Sequence, residues 1–379
     1  MNIAYICSDR GPCPPVKGGA IQLYISKVAP ILAKKHAITV FSITDKSLPK
    51  KETRDGVTYI RFSPQNFQND VLKTLRSHSF DIIQVFNRPG LVAKVKQVSP
   101  QSKVILSLHN LFFGTKRLTV EEAQDCIQHT DYMVTVSQFV ADHATQYGFP
   151  KHKVQPVYSG VDLEDFPKRE SERWLKWRQD IRRKWRIPGS AKVILFAGRL
   201  VPDKGCHVLV ESMKSLLQEH SNLYLLVVGS KWYTKHDQTP YIKSLIKEAR
   251  KLSPYLIFTS YIPVDKINKY YAAADLFVCA SQWEEPLARV HYEAMAASLP
   301  MISTDRGGNG EVIEERRNGF CLIDYANPEA FSSAIGVLLN NWELARRMGD
   351  NGRILAELRY PFERVAHELL TIYHRLLGV

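Results

Sequence analysis

Short, almost continuously apolar stretches alternate with amphipathic stretches of helix length along the whole chain. In the first half the apolar stretches are NIAYIC, ITVFSI, DIIQVF, KVILSLH and DYMVTVS, and in the second half they are KVILFAG, LYLLVVGS, LIFTSY, DLFVCAS and PMISTD. Strands of this kind are typical of parallel sheets that helices cover on both faces. The sequence therefore predicts an α/β fold with two doubly wound, Rossmann-like domains.

The length of 379 residues also fits two domains, because a domain has roughly 150 residues. We place the first domain at residues 1–165, joined by a C-terminal helix at about 361–379. The second domain is placed at residues 191–360, and residues 166–190 are predicted to form a charged linker and helix.

The linker has an aromatic pattern of its own. Trp174, Trp177, Ile181 and Trp185 follow one another at spacings of three and four residues, which places them on one face of a helix. Two interpretations remain open: this face docks on a neighbouring domain, or the basic helix lies on an anionic membrane surface. We favour docking, because the segment lies where two domains must be joined.

The chain is strongly basic, with a net charge of +13 and a pI near 9.3. Such a charge favours an anionic partner: a nucleic acid, an acidic lipid surface, an anionic polymer or a phosphorylated small molecule. A basic surface that only maintains solubility explains it equally well. No RNP, zinc-finger or helix-turn-helix signature accompanies the charge, so nucleic-acid binding is not expected.

The remaining composition indicates a reduced, cytoplasmic protein. No apolar run reaches the roughly 18 residues that span a bilayer, and the N-terminal MNIAYICSDRG lacks the basic start of a signal peptide. The six cysteines are scattered, without CxxC or Cys/His ligand spacing. We therefore expect free thiols, no metal site and no cofactor.

Two loops at predicted strand ends carry groups suited to phosphate. Gly18 and Gly19 follow the first strand and begin an amphipathic helix, so that backbone amides can approach an anion closely. Arg199 and Lys204 flank the turn after the first strand of the second domain, where both cations can neutralise a diphosphate. Each loop also has a simpler interpretation: a plain turn for the glycines, and solvated side chains for the cations.

A third candidate is the carboxylate pair Glu285 and Glu293 in WEEPLARVHYEAMAASLP. Pro286 suits the first turn of a helix, and in a helix eight residues advance roughly 12 Å and return to within roughly 80° of the starting face. The first turn would leave free backbone amides at Leu287, Ala288 and Arg289. A nucleotide sugar, with hydroxyls at both ends and an anionic middle, would fit this layout. An N-cap glutamate with an unrelated Glu293 explains the pattern equally well.

Several motifs together resemble one family. EEPLARVHYEAMAASLP resembles the E-x7-E signature of the GT-B glycosyltransferases of family 4, and TDRGGNGEVI looks like their GGxxE loop. SLHN, VYSGVD and GRLVPDKG resemble further family motifs, so the likeness covers nearly the whole chain. Within the family, GGAIQLY, FNRPG, GSKW and EPLARVHYEAMA are most similar to the spore coat protein SA group.

The resemblance implies a retaining, metal-independent transfer from a nucleotide-diphosphate sugar bound between two domains facing across a cleft. In the second domain, the resemblance implies that Glu293 binds the ribose diol. It also implies that Glu285 is a catalytic residue, which binds the hydroxyls of the donor sugar. It assigns the leaving diphosphate to Arg199 and Lys204. The absence of an Asp-x-Asp triplet agrees with a metal-free site.

In the first domain, the resemblance assigns a catalytic contact with the donor sugar to His109, and a phosphate contact to Gly18 and Gly19. Trp232 and Tyr233 are candidates for stacking on the nucleotide base. The acceptor is not identified, and an anionic or membrane-associated acceptor and spore coat proteins are the partners considered. A catalytically weak or inactive GT-B scaffold of the spore coat is the alternative function.

The sequence departs from the family pattern next to the predicted donor site. The family motif E-x-F-G is altered, since Leu287 and Ala288 stand in its last two positions. Arg289 replaces a usually apolar residue, Ser298 a usual glycine and Ser159 a usual asparagine. These changes leave the donor preference open and, to a lesser degree, catalysis itself.

Overall fold

The computed structural model describes residues 1–230 and 239–379. These residues form two compact units, of which the first comprises Met1–Gly160 together with Phe362–Val379 and the second comprises Val161–Pro361. Each unit contains one largely parallel sheet with helices, as the sequence predicts. Trp232 and Tyr233, the candidates for base stacking, lie outside the described residues.

The first unit has an eight-stranded sheet with the order β3-β4-β2-β1-β5-β6-β7-β8, in which only the β3–β4 pair is antiparallel. Its strands are β1 (Asn2–Ile6), β2 (Ala37–Ile43), β3 (Lys51–Arg54), β4 (Val57–Phe62), β5 (Ile82–Phe86), β6 (Lys103–Leu108), β7 (Tyr132–Thr135) and β8 (Val154–Pro156). Its helices are α1 (Ala20–Ala33), α2 (Phe67–Ser77), α3 (Val92–Val98), α4 (Val120–His129), α5 (Gln138–Gln146) and the last helix of the chain, α13 (Phe362–Leu377).

Helix α13 is part of the first unit because it packs on α1 and its apolar face enters the same core. At the centre of that core, the hydroxyl groups of Tyr5 and Tyr373 lie 2.9 Å apart, and the Tyr373 hydroxyl also donates to Gln84. All three side chains are buried, and these hydrogen bonds satisfy the two hydroxyls and the side-chain carbonyl of Gln84.

Among its described residues, the second unit has a six-stranded, wholly parallel sheet with the order β11-β10-β9-β12-β13-β14. Its strands are β9 (Lys192–Ala197), β10 (Leu223–Val228), β11 (Leu256–Phe258), β12 (Leu276–Cys279), β13 (Met301–Thr304) and β14 (Gly319–Leu322). Its helices are α6 (Glu172–Lys184), α7 (Cys206–Glu219), α8 (Pro240–Arg250), α9 (Asn268–Ala273), α10 (Val290–Ala296), α11 (Pro328–Asn340) and α12 (Trp342–Arg359).

Helix α6 is the predicted aromatic and basic helix, and it packs on α9 of its own unit. Ile181 is buried, whereas Trp174 and Trp177 are half-buried. Arginine side chains of the same helix make cation–π contacts with both tryptophan rings. Helix α6 therefore packs on a helix of its own unit, whereas the interpretation that we favoured was docking on a neighbouring domain. No helix in the described ranges is long and apolar enough to cross a lipid bilayer.

Candidate functional site

The strand order of the second unit brings two of the predicted loops together. The chain runs from β9 outward through β10 and β11 and then returns to the other side of β9 with β12, so the order reverses between β9 and β12. Ligands in open α/β sheets bind at such a reversal, outside the carboxyl ends of the strands. The loops after β9 and β12 are joined there by a backbone hydrogen bond of 2.8 Å from Gln282 N to Asp203 O.

Glu285 is the centre of this region, and its carboxylate is almost completely buried. One oxygen, Oε2, accepts hydrogen bonds from Trp283 Nε1 at 2.7 Å and from Ser281 Oγ at 3.2 Å. Lys204 Nζ donates to the same oxygen and lies 5.5 Å from the centroid of the Trp283 ring. Lys204 and Glu285, 81 residues apart in sequence, thus form one ion pair at the carboxyl ends of β9 and β12.

The glycine pair of the predicted GGxxE loop holds the backbone of Glu285. Gly308 N donates to Glu285 O at 2.8 Å. Gly307 has a φ of +62°, and a Cβ atom at this position would overlap the Glu285 carbonyl oxygen. Only glycine therefore fits at 307, because both the backbone conformation and the close approach exclude a side chain.

The predicted helix from Pro286 is wrong. Helix α10 begins at Val290, and the segment before it pairs with the loop after β13: Ala288 N donates to Asn309 Oδ1 at 3.2 Å. The Ala288 amide is therefore not among the free donors that we expected. The helical geometry assumed for the segment from Glu285 to Glu293 also fails for its first half.

Glu293 lies in α10 and contacts two other side chains. Its Oε2 accepts a hydrogen bond from the Tyr271 hydroxyl at 2.8 Å, and its Oε1 lies 3.5 Å from Arg289 Nη2. Burial, and then the negative charge of Glu293, raise the pKa of Tyr271 well above its ordinary value. Tyr271 therefore remains a neutral hydrogen-bond donor that fixes one oxygen of Glu293.

A buried thiol and imidazole, which the sequence analysis left without a role, lie beneath this site. His291 is fully buried, with Nδ1 2.9 Å from Ala288 O and Nε2 2.7 Å from Ser303 Oγ. Burial opposes charge on His291 and Cys279, but their mutual attraction outweighs it, raising the pKa of His291 and lowering that of Cys279. Cys279 Sγ lies 3.6 Å from Ser281 Oγ, which links the pair to Glu285.

The remaining predicted residue of the second unit, Arg199, is half-buried in the loop that follows β9. Leu287, like Ala288 and Arg289, lies in the irregular segment between Glu285 and α10. Within residues 1–230 and 239–379, no three His, Cys, Asp or Glu side chains come together as a metal-binding group.

In the first unit, His109 follows the carboxyl end of β6. Its backbone amide donates to Asn87 Oδ1 at 2.7 Å, and its Nε2 lies 3.3 Å from Ser107 Oγ. The ring packs edge-on against Tyr24, with centroids 5.2 Å apart. These contacts fix the position of the imidazole at the strand end.

The glycine loop after β1 adopts the conformation that its sequence demands. Gly18 and Gly19 have φ values of +125° and +134°, and Gly19 is the N-cap of α1. A Cβ atom at Gly19 would overlap the amide of Gln22, whose Nε2 donates to Ser8 Oγ at 3.0 Å. The glycines are therefore required by the local backbone, whether or not a phosphate binds there.

Comparison with known proteins identifies two matching family models. Residues 21–165 match the model described as Glycosyltransferase Family 4, and residues 178–355 match the model described as Glycosyl transferases group 1. Over 379 residues the chain is 41% identical to a protein named YtcC of Bacillus subtilis (strain 168), covering 100% of this chain and 93% of that protein. Over 376 residues it is 38% identical to Spore coat protein SA of the same organism, covering 99% and 100%.

Solved structures agree with these matches. Anabaena HepE in complex with UDP-glucose aligns with a TM-score of 0.80 at 18% identity, covering 99% of this chain and 100% of that one. A glycosyltransferase from Rickettsia africae ESF-5 aligns with a TM-score of 0.83 at 19% identity, covering 100% and 99%. The predicted GT-B fold class and the predicted resemblance to the spore coat protein SA group are both confirmed.

Proposed function

The chain belongs to the glycosyltransferases of family 4, and on that premise we propose that it transfers a sugar from a nucleotide-diphosphate sugar to a hydroxyl acceptor with retention of configuration. The bond from the anomeric carbon to the diphosphate breaks. A bond from that carbon to the acceptor oxygen forms on the same face, and the acceptor's hydroxyl proton is released. The observation that carries the proposal is the Lys204–Glu285 pair at the reversal of strand order.

Glu285 suits the role of holding the donor sugar. All three donors to its carboxylate bind Oε2, so within the described chain Oε1 keeps its lone pairs for a ligand. Because the side chain is 9% exposed, a sugar hydroxyl bound to Oε1 would be shielded from water. Such a charge-assisted hydrogen bond is worth about 1.5–3 kcal/mol.

Lys204 and Arg199 are the proposed partners of the leaving diphosphate. Glu285 and the Trp283 ring orient the ammonium group of Lys204 before any ligand arrives. A preorganised cation stabilises the charge that develops on the diphosphate without reorganisation during the reaction. This arrangement requires no metal ion for the same task, which is why we propose metal-independent transfer.

Glu293 is proposed to bind the ribose diol through Oε1, since Oε2 is engaged by Tyr271. Leu287, Ala288 and Arg289 are proposed to form the adjoining donor contact, in the irregular segment where the family's E-x-F-G motif is altered. In the first unit, His109 is the proposed catalytic contact with the donor sugar, and Gly18 and Gly19 the proposed phosphate contacts. The fixed His109 ring and the position of Gly19 at the N-terminus of α1, where backbone amides are free for an anion, support these assignments.

The relatives suggest which donors and acceptors to test first. HepE has been solved with UDP and glucose, and a relative at 23% identity is named a GDP-mannose-dependent mannosyltransferase. We propose a nucleotide-diphosphate hexose as donor, and an acceptor in bacterial envelope or spore coat glycan synthesis. The names of Spore coat protein SA and of a lipopolysaccharide N-acetylglucosaminetransferase support that acceptor class.

The test is calorimetric titration of the full chain with UDP-, GDP-, ADP- and TDP-hexoses, followed by NMR of the anomeric configuration after turnover. At least one donor should bind saturably, and Lys204→Met should weaken it by about 10- to 100-fold through loss of one charge-assisted contact. Lys251→Met removes an equally charged but exposed lysine and should change nothing. If no donor binds the wild-type chain, the scaffold alternative is favoured, and an inverted product would refute retention.

A further inference from the structure

A second charged cavity lies at the opposite end of the same sheet. It has a volume of about 200 Å³ and is enclosed largely by α6, α12 and the amino ends of β9, β12 and β13. The proposed donor residues follow the carboxyl ends of these strands. Because β9 has six residues, the two ends of the sheet lie roughly 17–20 Å apart. The cavity is therefore separate from the donor site.

The lining of the cavity carries an excess of positive charge. Four cationic side chains line it, against two acidic ones, and the lining includes Arg169, Glu170, Arg178, Lys192, Asp275 and Arg346. Behind the lining, Arg182 contacts Asp275 and Asp350 contacts Arg169, one charge of each sign. An excess of two positive charges matches the charge of a phosphate dianion.

The acidic groups of the cavity are already engaged. Asp275 Oδ1 accepts from Arg178 Nη2 at 2.6 Å, while Oδ2 accepts from Arg182 Nη2 at 2.7 Å and from the Val193 amide at 2.8 Å. At the rim, Glu170 is paired with Arg346 at 2.7 Å. These carboxylates fix the arginines in place, and they leave the charge of Lys192 without a carboxylate at contact distance in the described chain.

Lys192 is the group best placed to bind an anion. Its ammonium nitrogen lies 3.2 Å from the centroid of the Trp342 ring, which holds it at the wall of the cavity. Burial lowers the pKa of Lys192, Asp275 opposes this effect, and Arg178, Arg182 and Arg346 lower the pKa further. A cation crowded by like charges and partly removed from water is stabilised when an anion enters beside it.

Two tryptophans keep the cations of this cavity in position. Trp342 makes a cation–π contact with Lys192. Trp174 makes a cation–π contact with Arg178, whose guanidinium carbon lies 5.1 Å from the ring centroid. Arg178 Nη1 also donates to the backbone of Ala274 at 3.0 Å. Arg178 also donates to the carbonyls of Ala272 and Ala273 and to Asp275, so it contributes a fixed positive charge to the cavity wall. The ammonium group of Lys192 is the donor that suits an oxyanion.

We propose that this cavity is a second ligand site, which binds the phosphate group of a small molecule at the amino-terminal end of the second unit's sheet. The ligand is either inorganic phosphate or a sugar phosphate, for both of which the volume of about 200 Å³ is sufficient. Lys192, Arg178 and Arg346 supply the charge. Trp174 and Trp342 exclude water from one side.

Calorimetric titration in a phosphate-free buffer tests the site, with inorganic phosphate, glucose 6-phosphate and uncharged glucose as probes. The wild-type chain should bind the first two and not glucose. Lys192→Met should weaken both phosphates by about 10- to 100-fold through loss of one charge-assisted contact, and Lys192→Arg should retain most of the binding. Lys251→Met removes an exposed lysine outside both sites, so it is the matched control and should bind both phosphates as the wild type does.

Arg346→Gln is the second variant, because its side chain is 48% exposed and its loss should not unfold the unit. It should weaken phosphate by about 3- to 10-fold, as expected for a charge partly screened by water. Tighter binding of glucose 6-phosphate than of phosphate would identify an organic phosphate as the ligand, and equal binding would identify the free ion. Absence of saturable binding, or weakening in Lys204→Met with none in Lys192→Met, would overturn the proposal.

Discussion

The ion pair of Lys204 and Glu285 predicts a measurable coupling energy. Glu285→Gln preserves the shape of the side chain and can still accept hydrogen bonds from Trp283 and Ser281, so the change removes chiefly the charge opposite Lys204. Breaking a fully buried pair costs about 3–5 kcal/mol, whereas exposed pairs contribute about 0–1 kcal/mol. The two side chains are 18% and 9% exposed, so we expect an intermediate loss.

We therefore expect Glu285→Gln to lower the free energy of unfolding of the second unit by about 1–3 kcal/mol, and Lys204→Met to lower it by a similar amount. The double variant should lose clearly less than the sum of the two, because neither charge is then left without its partner. A coupling energy of at least about 1 kcal/mol is the expected result of the double-mutant cycle.

Tryptophan fluorescence during urea unfolding is the appropriate assay. All six tryptophans of the chain lie between residues 174 and 342, so the signal reports on the second unit alone. The exposed pair Lys251 and Glu248 provides a matched control, whose cycle should give less than about 0.5 kcal/mol. If the losses of the single Lys204 and Glu285 variants simply add, the pair does not stabilise the site and the reasoning is refuted.

Three further changes have defined outcomes. Glu293→Ala should raise the dissociation constant of the nucleotide diphosphate by about 5- to 150-fold by calorimetry, while Tyr271→Phe, which leaves the carboxylate in place, should have a smaller effect; equal effects would contradict the ribose role. In urea unfolding, Gly336→Ala should stabilise the second unit by roughly 0.5–1 kcal/mol, because Gly336 lies in α11 with open space around its Cβ position. Gly307→Ala should destabilise the second unit by several times that amount. Ser298→Gly should raise the unfolding free energy by about 1 kcal/mol, because Ser298 has a φ of +57°; an unchanged urea midpoint would show that the serine side chain compensates for this strain.

Most of the sheet architecture could be predicted because buried parallel strands have a strong local signal. All ten quoted apolar stretches contain strands, whereas β3, β4, β8 and β14 were not predicted. For β3 and β4 a signal was present: the Asp55-Gly56 pair, with φ values of 51° and 76°, forms the turn of a hairpin followed by the alternating sequence VTYIRF. β8 has the sequence VQP and contains no apolar run, whereas β14 has the sequence GFCL, a short apolar stretch that was not interpreted as a strand.

The error at Pro286 has a physical cause that local sequence patterns do not contain. Pro286 is compatible with a helix start, but hydrogen bonds from Gly308 to the Glu285 carbonyl and from Ala288 to Asn309 hold the backbone in an irregular conformation. These partners lie about twenty residues further along the chain. A tertiary contact thus decides the conformation here, because the two backbone bonds favour the irregular form over the helical one.

Lys204 and Glu285 meet because of the sheet topology and not because of the local backbone. Strands β9 and β12 are parallel neighbours, so the residues that follow their carboxyl ends lie close to each other. The residues that precede their amino ends also lie close to each other. At the amino ends the residues that meet are Lys192 and Asp275, which line the second cavity. The same pair of strands therefore brings a lysine and a carboxylate together at each end. At the carboxyl end they form a direct ion pair, whereas at the amino end Asp275 is engaged by two arginines and the charge of Lys192 remains for a ligand.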